Sequence, residues 1–272
     1  MEMPAPRPTL PLLPHLRFDR RYGSGEGCLV GVDEAGRGAL AGPVVAGAVA
    51  MPRKNLWAGE VEHLSYRVGD SKVCKPEQRE ALAADLPQWR SWCLTATGVA
   101  TVEEVERCNV LGATRLAMRR AVEAVQPLAA QAGWWHEGSQ WVRPHVLESA
   151  PADDLPLFPE TMSPPDGEAW FLLLDGLPMR DFPWVHEGVV KGDGKSFLIG
   201  LASIVAKVTR DRLMVEEDAI HRSYGFARHK GYGTKAHWAA LSRHGPCSSH
   251  RLSFLRKQRD REVAAEKQAA FF

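Results

Sequence analysis

No apolar run in this chain of 272 residues reaches the roughly 18–20 residues that a membrane span needs, which argues against a membrane protein. The five cysteines (28, 74, 93, 108 and 247) are scattered, odd in number and without a Cys-x-x-Cys pair. That argues against a disulfide framework or a zinc site, and for a reducing cytoplasmic setting. The histidines at 221, 229, 237, 244 and 250 show no His-Glu-x-x-His arrangement and read as phosphate-facing or structural groups. The proline-rich start lacks a basic region followed by an apolar core, so it is not laid out as a secretory signal. Residues 1–26 read instead as a flexible lead-in. There is no internal repeat.

Net charge is also nearly absent, at +1, but its distribution is uneven. Residues 201–272 carry 14 basic and 7 acidic side chains, whereas residues 137–187 carry 2 basic and 10 acidic ones. A basic C-terminal third suits a polyanion such as nucleic acid. A solvated helical surface is the plainer reading of such a run.

What the chain does contain is Leu-Val-Gly-Val-Asp-Glu-Ala-Gly-Arg-Gly at 29–38, an apolar run ending in two adjacent carboxylates and a glycine–arginine–glycine turn. Two anionic groups at the mouth of a buried strand are costly unless a cation neutralises them. Hard oxygen ligands beside a flexible basic turn suggest a divalent metal and a phosphate in one place. Residues 27–33 and 43–51 read as a hairpin of buried strands. Helices are expected at 75–86, 101–126, 195–219, 234–244 and 251–269, and further strands at 91–99, 169–176 and 185–190. Residues 127–168, acidic and rich in proline, read as an insertion. Strands with intervening helices make an α/β or mixed layer fold.

Asp33-Glu34, Asp175 and Asp193 stand at or just past the ends of expected strands. Neighbouring strands lie about 5 Å apart, so such carboxylates can converge on metals about 4 Å apart. The alternative for Asp175-Gly176 and Asp193-Gly194 is a pair of turns. Lys191-Gly-Asp-Gly-Lys-Ser196 ends like a phosphate-binding loop but has Val189 where that loop needs glycine. Tyr224 to Thr234 interleaves aromatic and basic residues, suited to sugars and phosphates or, alternatively, to a tight structural turn.

Several blocks together resemble the ribonuclease HII family, the type 2 ribonuclease H enzymes. They are residues 31–38 continuing through Gly42-Pro43-Val44-Val45, Asp70-Ser-Lys72, Asn109 to Arg120, Leu174-Asp-Gly176, Val190 to Asp193, Ala202 to Asp211, Tyr224 to Thr234, and His250-Arg-x-Ser-Phe254. The resemblance implies a ribonuclease H-like α/β fold, a central mixed sheet flanked by helices, with a helical C-terminal part. Residues 27–250 then form the catalytic domain, interrupted by the insertion, and 251–272 a C-terminal helix and tail. The implied activity is that of an endonuclease on the RNA strand of RNA–DNA hybrids and 5′ of single ribonucleotides in duplex DNA. Its implied cofactor is two Mn²⁺ or Mg²⁺ ions, held by Asp33, Glu34, Asp175 and Asp193. Gly36, Arg37 and Gly38 correspond to the family's readers of the ribose 2′-OH, and Tyr232 to the tyrosine that stacks on the junction sugar. Lys72, Lys191 and Ser196 fall at phosphate contacts. A cytoplasmic monomer is expected. Gln268-Ala-Ala-Phe-Phe272 is similar to short peptides that dock into replication sliding clamps, which makes a clamp a candidate partner; the alternative is that Phe271 and Phe272 fold back onto the C-terminal helices or belong to a frayed end.

Overall fold

β1 (Cys28–Ala35) and β2 (Val44–Pro52) form an antiparallel hairpin whose register sets Cys28 against Pro52 and Ala35 against Val45. Both strands are buried almost throughout, which is why they read as continuous apolar runs rather than as alternating ones. The computed structural model describes residues 13–23, 25–68, 74–142 and 169–256. β3 (Leu94–Ala100) extends the hairpin beside β2, antiparallel, and β5 (Ala169–Asp175) joins β1 in parallel. The short strands β4 (Gln140–Trp141) and β6 (Glu187–Val189) pair in parallel with successive stretches of β5. The result is a mixed sheet ordered β3-β2-β1-β5-β4, with β6 also on β5.

Side-chain alternation assigns its two faces. Val30, Val32, Ala46, Leu172 and Leu174 meet Ala117, Ala121 and Val125 of α4 (Val102–Gln131). Leu29, Val49, Phe171 and Leu173 meet Leu198, Leu201 and Val205 of α5 (Phe197–Ile220). Gly31 and Gly47 let α5 come close, since a Cβ at either would run into its backbone. α2 (Gly59–Val68) and α3 (Pro76–Asp85) complete the α5 side through Val61, Leu64 and Leu82. A smaller core joins Leu40 and Met214 to α6 (Phe226–His229) and α7 (Lys235–His244).

Three expectations need correction. Residues 14–20, taken as part of a flexible lead-in, form the helix α1 (Pro14–Arg20). It docks because Leu16 is buried and the Asp19 carboxylate accepts the Leu198 N–H (2.9 Å), capping α5. The helix expected to stop at 126 continues through Pro127 to Gln131, so the insertion begins as a helix end followed by β4. That helix is also interrupted at Asn109 (φ 57°), whose side-chain oxygen accepts the N–H groups of Leu111 and Gly112 and restarts it. Residues 252–256 are helical, as expected. Lys72, most of the insertion and the tail lie outside the described residues.

Candidate active site

The parallel register of β1 and β5 pairs Val32 with Leu174, so the next step along each strand brings Asp33 beside Asp175. Both follow the alternation that points Leu29 and Leu173 toward α5. Asp33, Glu34 and Asp175 converge, with one carboxylate oxygen from each within 4.8 Å of the others. Asp193, in a short turn of 3-10 helix at Gly192–Gly194, is buried and lines the same cavity. The turn is tied to β5, because Asp175 Oδ1 accepts the N–H of Gly192 (2.6 Å) and of Asp193 (3.4 Å).

Burial, followed by the negative charges of Glu34 and Asp175, holds the Asp33 carboxyl well above the usual carboxylate range. Hydrogen bonds from the Ser203 hydroxyl and the Glu34 N–H (2.7 Å) work in the opposite direction. Burial likewise raises Glu34, opposed by the Arg37 guanidinium at 3.0 Å. Three oxygen-only donors whose mutual repulsion is made costly by burial fit a hard divalent cation.

The cavity measures about 380 Å³. One wall is the loop Gly36–Gly38, and another carries Tyr232, whose ring has the Arg210 guanidinium 5.2 Å and the Lys207 ammonium 5.6 Å from its centre. Gly36 requires its left-handed backbone (φ 96°), and a Cβ there would strike the buried Arg210 side chain. Arg210 donates to the carbonyls of Pro43, Ala41 and Lys230. Arg251, also fully buried, donates to those of Gly36, Arg37 and Gly42. The arch that carries the glycine–arginine–glycine turn is therefore held from behind by two guanidinium forks.

The sequence profile of the family described as Ribonuclease HII matches residues 30–135 and 186–257. A curated Ribonuclease HII of Albidiferax ferrireducens is 39% identical over 228 residues, covering 84% of this chain and 86% of the relative. One from Syntrophotalea carbinolica is 38% identical over 241 residues, covering 88% and 91%. The chain belongs to the ribonuclease HII family. Its fold is shared with the RNase HII of Archaeoglobus fulgidus, solved as a complex with PCNA, at TM-score 0.51 and 18% identity over 82% of this chain and 93% of that one. Bst-RNase HIII, solved with Mn²⁺, gives TM-score 0.52 at 18% identity over 86% and 67%. Like its family, the protein is a metal-dependent endoribonuclease of the ribonuclease H type, acting on RNA–DNA hybrids.

Asp33, Glu34, Asp175, Asp193, Gly36, Arg37, Gly38 and Tyr232 share the cavity. Two other expected residues do not. Ser196 is buried and turned inward as the N-cap of α5, accepting the Ile199 N–H (3.2 Å) and hydrogen-bonding with Asp19. The capped helix uses the hydroxyl internally, which leaves it unable to serve as the expected phosphate contact. Lys191 is exposed and is not among the lining residues. Sequence reasoning left Arg79, Ser203 and Lys207 without a role, yet all three line the cavity. The i,i+4 spacing of Ser203 and Lys207 on one helix was the available signal. Among the described residues, no helix is long and apolar enough to cross a membrane.

Proposed function

We propose that this protein incises 5′ of single ribonucleotides embedded in duplex DNA as well as cutting the RNA strand of hybrids, leaving 3′-hydroxyl and 5′-phosphate ends. The observation that carries this reading is the meeting, in one cavity, of the carboxylate cluster with the Gly36–Gly38 loop and Tyr232. Asp33, Glu34, Asp175 and Asp193 would hold two divalent ions, Mn²⁺ or Mg²⁺, which when bound would supply an activated water and stabilisation of the leaving 3′-oxygen. Ser203 and the Glu34 amide orient Asp33, while the amides of Gly192 and Asp193 orient Asp175. The Gly36–Gly38 loop receives the ribose 2′-OH, the group that tells RNA from DNA. Tyr232 stacks on the sugar across the junction. Arg79 and Lys207 face the scissile strand from the cavity wall, and Lys72 and Lys191 are further phosphate contacts in this reading.

The enzyme works as a cytoplasmic monomer in this reading, and its tail at 268–272 is the docking peptide for a sliding clamp. A duplex carrying one ribonucleotide, incubated with Mg²⁺ or EDTA, tests the activity. A single cut 5′ of the ribonucleotide, abolished by EDTA, is the expected result. Equal cutting of an all-DNA duplex would indicate a metal-dependent DNase, and binding without cleavage a nucleic-acid-binding module.

A further inference from the structure

The C-terminal segment 247–251 reaches both ribose-reading elements from adjacent residues. Arg251 sends its guanidinium to the carbonyls of Gly36 (2.8 Å), Arg37 (3.1 Å) and Gly42 (2.7 Å). Its neighbour His250 starts a chain of imidazoles. The Cys247 backbone N–H donates to His250 Nδ1 (3.0 Å), so that nitrogen carries no proton and the proton sits on Nε2. His250 Nε2–H then donates to His237 Nε2 (3.0 Å). His237 Nδ1–H donates in turn to the Tyr232 carbonyl (2.9 Å). The backbone donor at one end and the carbonyl acceptor at the other fix the tautomer of both rings. Both rings are fully or almost fully buried, and His237 also stacks on His229 at 4.3 Å. The two arms spring from one anchored strand, because His250 bridges to Ala41 and the Arg251 N–H donates to the Leu40 carbonyl (2.8 Å).

We propose that His250 and Arg251 form a positioning clasp that sets the separation between the glycine–arginine–glycine loop and Tyr232. Arg251 holds the loop directly, and His250 holds the tyrosine through His237. Neither residue touches substrate. Each acts by keeping the ribose slot at one width, so the clasp controls recognition of a lone ribonucleotide more than catalysis on a continuous hybrid, where neighbouring ribonucleotides supply further contacts. This rests on the assignment of Gly36–Gly38 and Tyr232 as ribose readers.

The test uses the full chain, a duplex with one ribonucleotide and a long RNA–DNA hybrid, and it reads the ratio of the two kcat/KM values. Misplacement of a positioned group costs up to about a hundredfold. His250→Ala and His237→Ala should each lower the ratio about tenfold. His237→Asn, whose amide can still donate to the Tyr232 carbonyl but no longer reaches His250, should lower the ratio less than His237→Ala does. Arg251→Lys keeps the charge but loses the fork, and should lower the ratio as well. In a Tyr232→Ala background, His250→Ala should lower the ratio no further, because both changes act through one residue. A purely structural role would reduce both substrates together and add to Tyr232→Ala. Either result overturns the clasp, as does an unchanged ratio in His250→Ala beside a lowered one in Tyr232→Ala. An unchanged ratio in Tyr232→Ala alone overturns the ribose-reader assignment itself.

Discussion

Replacing Asp33 by Asn removes one of three carboxylates that crowd within 4.8 Å, from a side chain only 5% exposed. At that distance, two unit charges in a medium of effective dielectric about 20 repel by about 3.5 kcal/mol. Arg37 beside Glu34 offsets part of this, and the Asn side-chain oxygen can keep the hydrogen bond from the Glu34 N–H. A gain of about 2 kcal/mol in metal-free stability is expected, equivalent to about 4–8 °C in Tm for a chain of this size. The sign has a pH signature. The Asp33 pKa is raised in the folded state, so above about pH 4 the unfolded chain releases its proton first. Metal-free wild-type stability therefore falls as pH rises through the folded-state value. The advantage of Asp33→Asn is largest at neutral pH and closes as pH drops toward about 4. Thermal melts in EDTA at pH 7.5 and pH 4 measure it. Saturating Mn²⁺ should reverse the order, since a ligand at a hundred times its Kd adds about 2.7 kcal/mol to the protein that binds it. Cleavage by the variant should be lost. An Asp33→Asn protein that melts at or below wild type in EDTA at pH 7.5, or that turns over at the wild-type rate, refutes the reasoning.

Glu34→Gln and Asp175→Asn should abolish cleavage while the protein stays folded, as checked by circular dichroism. Gly36→Ala forces a side chain into a left-handed residue and against Arg210, so a loss of about 1–3 kcal/mol in stability is expected in denaturant titration, together with most of the activity. Gly38 has an ordinary φ and open space where a Cβ would go. Gly38→Ala should melt within about 2 °C of wild type, yet cut ribonucleotide-containing duplex less well out of proportion to its binding, as read by parallel cleavage and duplex-binding assays. Tyr232→Ala should weaken cutting at a lone ribonucleotide more than on a long hybrid; equal losses would count against stacking. A labelled peptide of residues 260–272 titrated with the cognate clamp should bind. No binding at about 100 μM, roughly −5.5 kcal/mol, retires the tail as a docking peptide.

The amino-acid sequence by itself determined the strand ends and their chemistry. Leu29 to Val32 and Phe171 to Leu174 are apolar enough to demand burial, so the first carboxylates after them mark where the sheet meets a polar site. The break at Gly36 was legible for a similar reason, because few other residues follow a buried strand into a left-handed turn. Helix faces and the hairpin were legible because their periods are local. The tertiary structure alone decided which strand ends meet. The parallel pairing of β1 with β5 joins segments far apart in the chain and leaves no local signature of register. It also decided between two uses of one residue. A serine before a helix serves equally as a phosphate ligand or as a cap, and only the docking of α1 and Asp19 turned Ser196 inward. Arg210 and Arg251, to which the sequence assigned no role of their own, are buried, and His237 and His250 take the structural one of their two readings. The two arginines are buried because the arch around Gly36–Gly42 exposes carbonyls that must be satisfied inside the protein, and donors must come from wherever the fold brings them.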